Sequence, residues 1–138
     1  MKRVTLRFIG MESLLVIVPC VVGRCNMKIL VLEDDCYRVR FFVEKFGQHD
    51  ITITENSFDA ITHLENEVFD LIFLDHDLGE DNGDGFDVAV YLFDNPWNVN
   101  NRAEIIIHSW NIPATKRMLS KISQAIHMPF NVVDFSIF

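Results

Sequence analysis

Three short strings in this 138-residue chain carry side chains that can bind a cation, move a proton or hold a phosphate: Glu33-Asp34-Asp35, Asp75-His76-Asp77 and His108-Ser109. Each follows an apolar run, Ile29 to Leu32, Leu71 to Leu74 and Ile105 to Ile107. Carboxylates crowded into one patch repel, and a divalent cation relieves that repulsion. Imidazoles titrate near neutrality, so they can give or take a proton in a reaction. If the strings converge, Glu33, Asp34, Asp35, Asp75 and Asp77 are the candidate metal ligands, with magnesium or manganese the expected ion. His76, His108 and Asp75 are then the catalytic candidates. One imidazole would activate water and the other would protonate a departing alkoxide; as ligands instead, the pair would favour manganese or zinc. Ser109, Lys116 and Arg38 are the candidate phosphate contacts. The plainer reading is that acids mark strand ends, His108 is a core histidine, Ser109 caps a turn, and Lys116 and Arg38 are solvated helix charges. Convergence on neighbouring strands is what separates the two readings.

The elements that must position these strings follow from periodicity. The three apolar runs read as buried parallel strands. Val39, Phe42, Val43 and Phe46 fall at helical spacing, with Gly47 as a stop. Ile51 and Ile53 alternate with threonines in a further strand. Asn56 or Ser57 can cap a helix facing inward with Ala60, Ile61 and Leu64. Phe86 to Phe93 reads as a helix after a loop from Gly79 to Gly85 that holds three glycines. Asn111 and Pro113 suit the start of a helix whose buried face is Met118, Leu119, Ile122, Ala125 and Ile126. Pro129 ends that helix, and Val132 to Phe135 is the expected fifth strand. Alternating strands and helices imply an α/β fold, a doubly wound five-stranded parallel sheet in the flavodoxin-like order 2-1-3-4-5, with the terminal helix missing. In such sheets ligands bind beyond the carboxyl ends of the strands where the order reverses, and that order makes the three strings neighbours.

Composition narrows the function. Lys plus Arg number 12 against 20 Asp plus Glu, a formal charge of −8, which argues against binding duplex DNA. The glycines of the acidic loop do not form a dinucleotide fingerprint. The nearest calcium-loop frame places Tyr91 where a glutamate is needed. Three cysteines, Cys20, Cys25 and Cys36, make no disulfide framework, and a cytoplasmic location is expected. Residues 1–26 read as an N-terminal extension or upstream start, with residues 27–138 as the domain. Leu14 to Val22 is too short and too interrupted by Pro19 to cross a membrane. A signal-like reading conflicts with Glu12 and Arg24. The alternation of Val4, Leu6 and Phe8 permits an added strand. A missing last helix would leave one sheet face to be covered by residues 1–26 or by a second copy in a homodimer.

The strand Ile29 to Leu32 with Glu33-Asp34, and Leu71 to Leu74 with Asp75, resemble the receiver domain of two-component response regulators. That resemblance implies that Glu33 and Asp34 bind magnesium, that Asp75 accepts a phosphoryl group and that Ser109 is the hydroxyl touching it. The family's lysine after strand five has no counterpart in Val132-Val133-Asp134-Phe135. The strings Leu74-Asp75-His76-Asp77-Leu78-Gly79 and His108-Ser109-Trp110-Asn111, with a helix start from Ala114 to Met118, are similar to a narrower group, the cyclic-phosphate processing receiver domains. Ala114-Thr115 stands where that group has a glycine and an alanine. This second resemblance, over residues 27–138, implies metal-assisted hydrolysis of cyclic phosphates, with a cyclic nucleotide or an RNA 2′,3′-cyclic end as substrate. The first implies a non-enzymatic signalling module, or pseudo-receiver, with Asp75 as phosphoacceptor.

Overall fold

The computed structural model describes residues 2–8, 14–18 and 26–130, the first two stretches by their backbone. Residues 28–130 alternate strand and helix: β3 (Lys28–Leu32), α1 (Cys36–Phe46), β4 (Asp50–Thr54), α2 (Ser57–Asn66), β5 (Leu71–Leu74), α3 (Gly85–Asp94), β6 (Glu104–Ile107), α4 (Ile112–Lys121) and β7 (Ile126–His127). They follow β1 (Lys2–Phe8) and β2 (Leu14–Val18). The sheet order is β2-β1-β4-β3-β5-β6-β7. From β4 to β7 all pairings are parallel, so these five strands have the expected order 2-1-3-4-5. β1 joins the outer edge of β4 in parallel through Arg7 and Phe8, and β2 pairs antiparallel with β1. The alternation of Val4, Leu6 and Phe8 is thus realised as a strand.

The helices start where the caps dictate. Asp35, Asn56, Asp84 and Asn111 each accept a backbone N–H from the first turn they precede. Period-two alternation divides the core. Ile29, Val31, Ile51, Ile53, Leu71, Phe73 and Ile106 face α1, where they meet Phe42 and Phe46. Leu30, Leu32, Ile72, Leu74, Ile105 and Ile107 face the other way, onto side chains of α2, α3 and α4 such as Leu64, Leu92 and Met118.

The expected end of the last helix is corrected. α4 stops at Lys121, and Ile126 lies in β7 with its side chain half exposed. Ser123 and Gln124 turn the chain between them. Ile122, Ala125 and Ile126 fall at helical spacing by coincidence, and a short apolar run does not show which side of a turn it belongs to. The fifth strand of the order is thus β7 rather than the expected Val132 to Phe135, a stretch that lies, with Cys20 and Cys25, outside the described residues.

The asparagine-rich link between α3 and β6 is a clamp. Fully buried Asn100 donates to the carbonyls of Leu64 at 3.0 Å and Glu67 at 2.8 Å, and accepts Phe69 N–H at 2.8 Å. These bonds tie the end of α2 to the entrance of β5. Asn100→Ala strands several buried backbone groups at once and is expected to cost about 3 kcal/mol, measured as a lowered urea midpoint.

Candidate functional site

Register gathers the site. Leu32, Leu74 and Ile107 are in line across β3, β5 and β6. The ladder continues one residue further, through Asp75 N–H to Leu32 O and His108 N–H to Leu74 O, both 3.0 Å. Glu33, Asp75 and His108 therefore form the next row. By alternation they project on the α1 side, above Val31, Phe73 and Ile106. All three are buried, and one ligand atom from each lies within 4.8 Å of the others.

The row is internally paired. His108 Nε2 donates to Glu33 Oε2 at 2.9 Å. The imidazole packs against the rings of Phe42, Phe73 and Phe130, and its buried Nδ1 has no hydrogen-bond partner among the described residues. Arg38, in the first turn of α1, places Nη2 2.9 Å from Glu33 Oε1 and 3.1 Å from Asp75 Oδ2. One guanidinium nitrogen thus bridges two buried carboxylates. Burial pushes the Glu33 carboxyl upward, but the hydrogen bond and charge of His108, the Asp35 N–H and the Arg38 charge outweigh it and hold Glu33 below its ordinary value. For Asp75 burial wins: desolvation, then the Glu33 charge, raise its carboxyl against His108, the His76 N–H and Arg38.

The remaining sequence candidates lie elsewhere. Asp34 Oδ2 accepts Gly79 N–H at 2.6 Å and fastens the loop after β3 to the loop after β5. Asp35 caps α1. Asp77 is exposed; it accepts from His76 Nδ1 at 2.8 Å and from Asn111 Nδ2 at 3.1 Å. Those hydrogen bonds, largest first His76, hold Asp77 below its usual range. Ser109 does not continue the row: its buried Oγ accepts Asn111 N–H at 3.1 Å. Lys116 is exposed on α4. The two imidazoles have different surroundings. His76 is out of step with the row, and its ring lies between Asp77 and Asp84, with Nε2 3.5 Å from Asp84 Oδ2. Of the two imidazoles expected to divide the acid and base work, His108 is buried against Glu33 and His76 is held by Asp77 and Asp84.

Residues 28–124 match the family model described as the cyclic-phosphate processing receiver domain. The chain belongs to that family. None of the curated proteins matches it. Solved structures share the fold at low identity. The phosphorylated cyanobacterial phytochrome response regulator RcpA has a TM-score of 0.65 at 19% identity, over 81% of this chain and 85% of that one. The Mn²⁺-bound form of response regulator Rcp1 gives 0.60 at 19%, over 75% and 81%. A CheY-like receiver domain protein from Methanospirillum hungatei JF-1 gives 0.61 at 17%, over 81% and 86%.

In this cyclic-phosphate processing receiver domain the row departs from the phosphorelay pattern in a way that register makes visible. The residue in line with Asp75 on β6 is an imidazole, not a hydroxyl. The segment after β7 reads Met128-Pro129-Phe130, again without a lysine, and Phe130 packs on His108. Two carboxylates and an imidazole with gathered donor atoms suit a divalent cation, with the nitrogen favouring manganese or zinc over magnesium. Glu33, Asp75 and His108 are the residues that would hold it. Arg38 already supplies positive charge between the two carboxylates, so a cation must displace it. Arg38→Gln is therefore expected to bind Mn²⁺ about tenfold more tightly than the parent, because charge-assisted hydrogen bonds worth roughly 1.5–3 kcal/mol no longer compete; titration calorimetry reads the difference.

Proposed function

We propose that this domain hydrolyses cyclic phosphodiesters with the help of a divalent cation. The row Glu33–Asp75–His108 carries this reading: it retains the acids of a receiver but has an imidazole in the hydroxyl position and no lysine after β7. Such a set is poorly suited to holding a phosphoryl group on Asp75 and well suited to neutralising a phosphate diester. When bound, the cation supplies Lewis-acid stabilisation of the charge that grows on the phosphate.

The chain's own residues divide the rest of the work. In the reaction a water oxygen forms a bond to phosphorus, one ring P–O ester bond breaks, and the departing alkoxide receives a proton. His76 is the group for proton movement. Asp77 holds its Nδ1, Asn111 holds Asp77, and the buried Nε2 makes no hydrogen bond among the described residues but has the Asp84 carboxylate 3.5 Å away. His108 is fully buried beside Glu33, and its ring nitrogen, now hydrogen-bonded to that carboxylate, would be given up to the cation as its third ligand. Arg38, once displaced from Glu33 and Asp75, is placed to meet a phosphate oxygen.

The test is turnover of 2′,3′-cyclic nucleotides and cyclic-phosphate RNA ends, with Mg²⁺, Mn²⁺ or a chelator. Metal-dependent release of a phosphomonoester supports the proposal, and no turnover with any metal removes it. The neighbouring receiver structures favour a second reading, Asp75 as phosphoacceptor in a signalling module. Stable labelling of Asp75 by acetyl phosphate with Mg²⁺, without hydrolysis, would select that reading.

A further inference from the structure

We infer that Trp110 is a stacking platform for the base of a nucleotide, so that the cyclic phosphate this domain takes is a nucleoside one. The inference rests on the phosphodiester reading above and names its substrate class.

Trp110 lies two residues beyond His108, in the loop that leaves the carboxyl end of β6, and its side chain is 52% exposed. A large apolar side chain open to water is usually carried by a loop that can yield. This loop is fastened along its length. His108 O accepts Phe130 N–H at 3.1 Å, and Ser109 O is 2.9 Å from His127 Nε2. Ser109 Oγ accepts Asn111 N–H, Asn111 Oδ1 accepts Ala114 N–H at 3.1 Å, and Asn111 Nδ2 donates to Asp77. The backbone on both sides of the indole is therefore held to the elements that carry the site. Binding to such a surface costs little ordering entropy.

The surroundings indicate what covers it. α4 begins two residues after Trp110 and exposes Lys116, whereas Arg117 and Lys121 lie over the Phe86 and Phe93 rings of α3. An exposed indole on the loop that leaves the row at His108 suits the aromatic base of a nucleotide whose phosphate is held at the row. Trp97, the second tryptophan, provides an internal comparison. It is 95% exposed, but it follows α3 and precedes β6, at the amino ends of the strands and away from the row.

The experiment uses the full chain carrying Trp97→Phe, which leaves Trp110 as the sole indole. With Mn²⁺ present, three probes are titrated by calorimetry and indole fluorescence: adenosine 2′,3′-cyclic phosphate, base-free ribose 2′,3′-cyclic phosphate, and adenosine. The adenosine cyclic phosphate should quench Trp110 and bind about tenfold or more tightly than the ribose compound, the range expected for one stacked base. Trp110→Ala should erase that advantage and leave ribose cyclic phosphate binding unchanged, while Trp110→Phe keeps most of it. Equal binding of the two cyclic phosphates, unaffected by Trp110→Ala, overturns the platform and leaves the phosphodiester reading standing. Quenching by adenosine without binding of either cyclic phosphate does the reverse. Binding of none of the three removes both.

Discussion

His76→Gln should lower metal-dependent turnover of a 2′,3′-cyclic phosphate by about 10²- to 10⁴-fold, the usual contribution of a positioned proton-transfer group. Gln keeps the size and one hydrogen bond of the imidazole but cannot exchange a proton near neutrality. Asp77 and Asn111 would still hold the loop, so the fold and Mn²⁺ affinity should be unchanged, and the loss should fall in kcat rather than KM. His108→Gln separates the two histidines. Its ring is a donor to Glu33 at the back of the row, so that variant should weaken Mn²⁺ binding and lose turnover through poor metal loading, recoverable in part at high Mn²⁺. Full activity in His76→Gln, measured at saturating metal, would show that the proton moves by another route.

Gly85→Ala is expected to be among the most damaging single changes in the chain. Gly85 opens α3 and donates its N–H to His76 O at 3.1 Å. A Cβ at that position would lie 2.0 Å from the carbonyl oxygen of Asp75 and 3.0 Å from Met118 Cε. The first contact is with backbone, which no rotamer change can relieve. Either α3 lifts away from β5 and α4, or the chain at Asp75 moves out of line with Glu33 and His108. Overpacking of this kind costs about 3 kcal/mol when the neighbours are rigid. The expected result is a lowered urea midpoint together with weakened Mn²⁺ binding, since the displaced segment carries Asp75, one of the three proposed ligands. A variant as stable as the parent would mean that α3 can slide freely on the sheet.

Much of this architecture was legible beforehand because it follows from local rules. The runs Ile29 to Leu32 and Leu71 to Leu74 are apolar on both faces, which only a covered parallel strand requires. Asn56 and Asn111 cap the helices that follow them because their short side chains reach the first-turn N–H groups. The resemblance carried by the Leu74 to Gly79 string led to the right family. The boundary between α4 and β7 was not legible, because a two-residue turn leaves no mark on a run of apolar residues.

Which acid of each string faces the site needed the sheet. Alternation counted along β3, β5 and β6 selects Glu33, Asp75 and His108 and sends Asp34, Asp77 and Ser109 to loops and caps. The period was available in the sequence, but the relative register of three strands was not. The roles of Arg38, Gly85 and Asn100 depend on partners 37, 10 and 36 positions away or more closely packed than any pattern shows. Composition and spacing thus determined by themselves that acids and imidazoles crown a parallel sheet. Only the tertiary structure decided which of them meet, because strand pairing fixes distances between residues that the chain itself leaves unconnected.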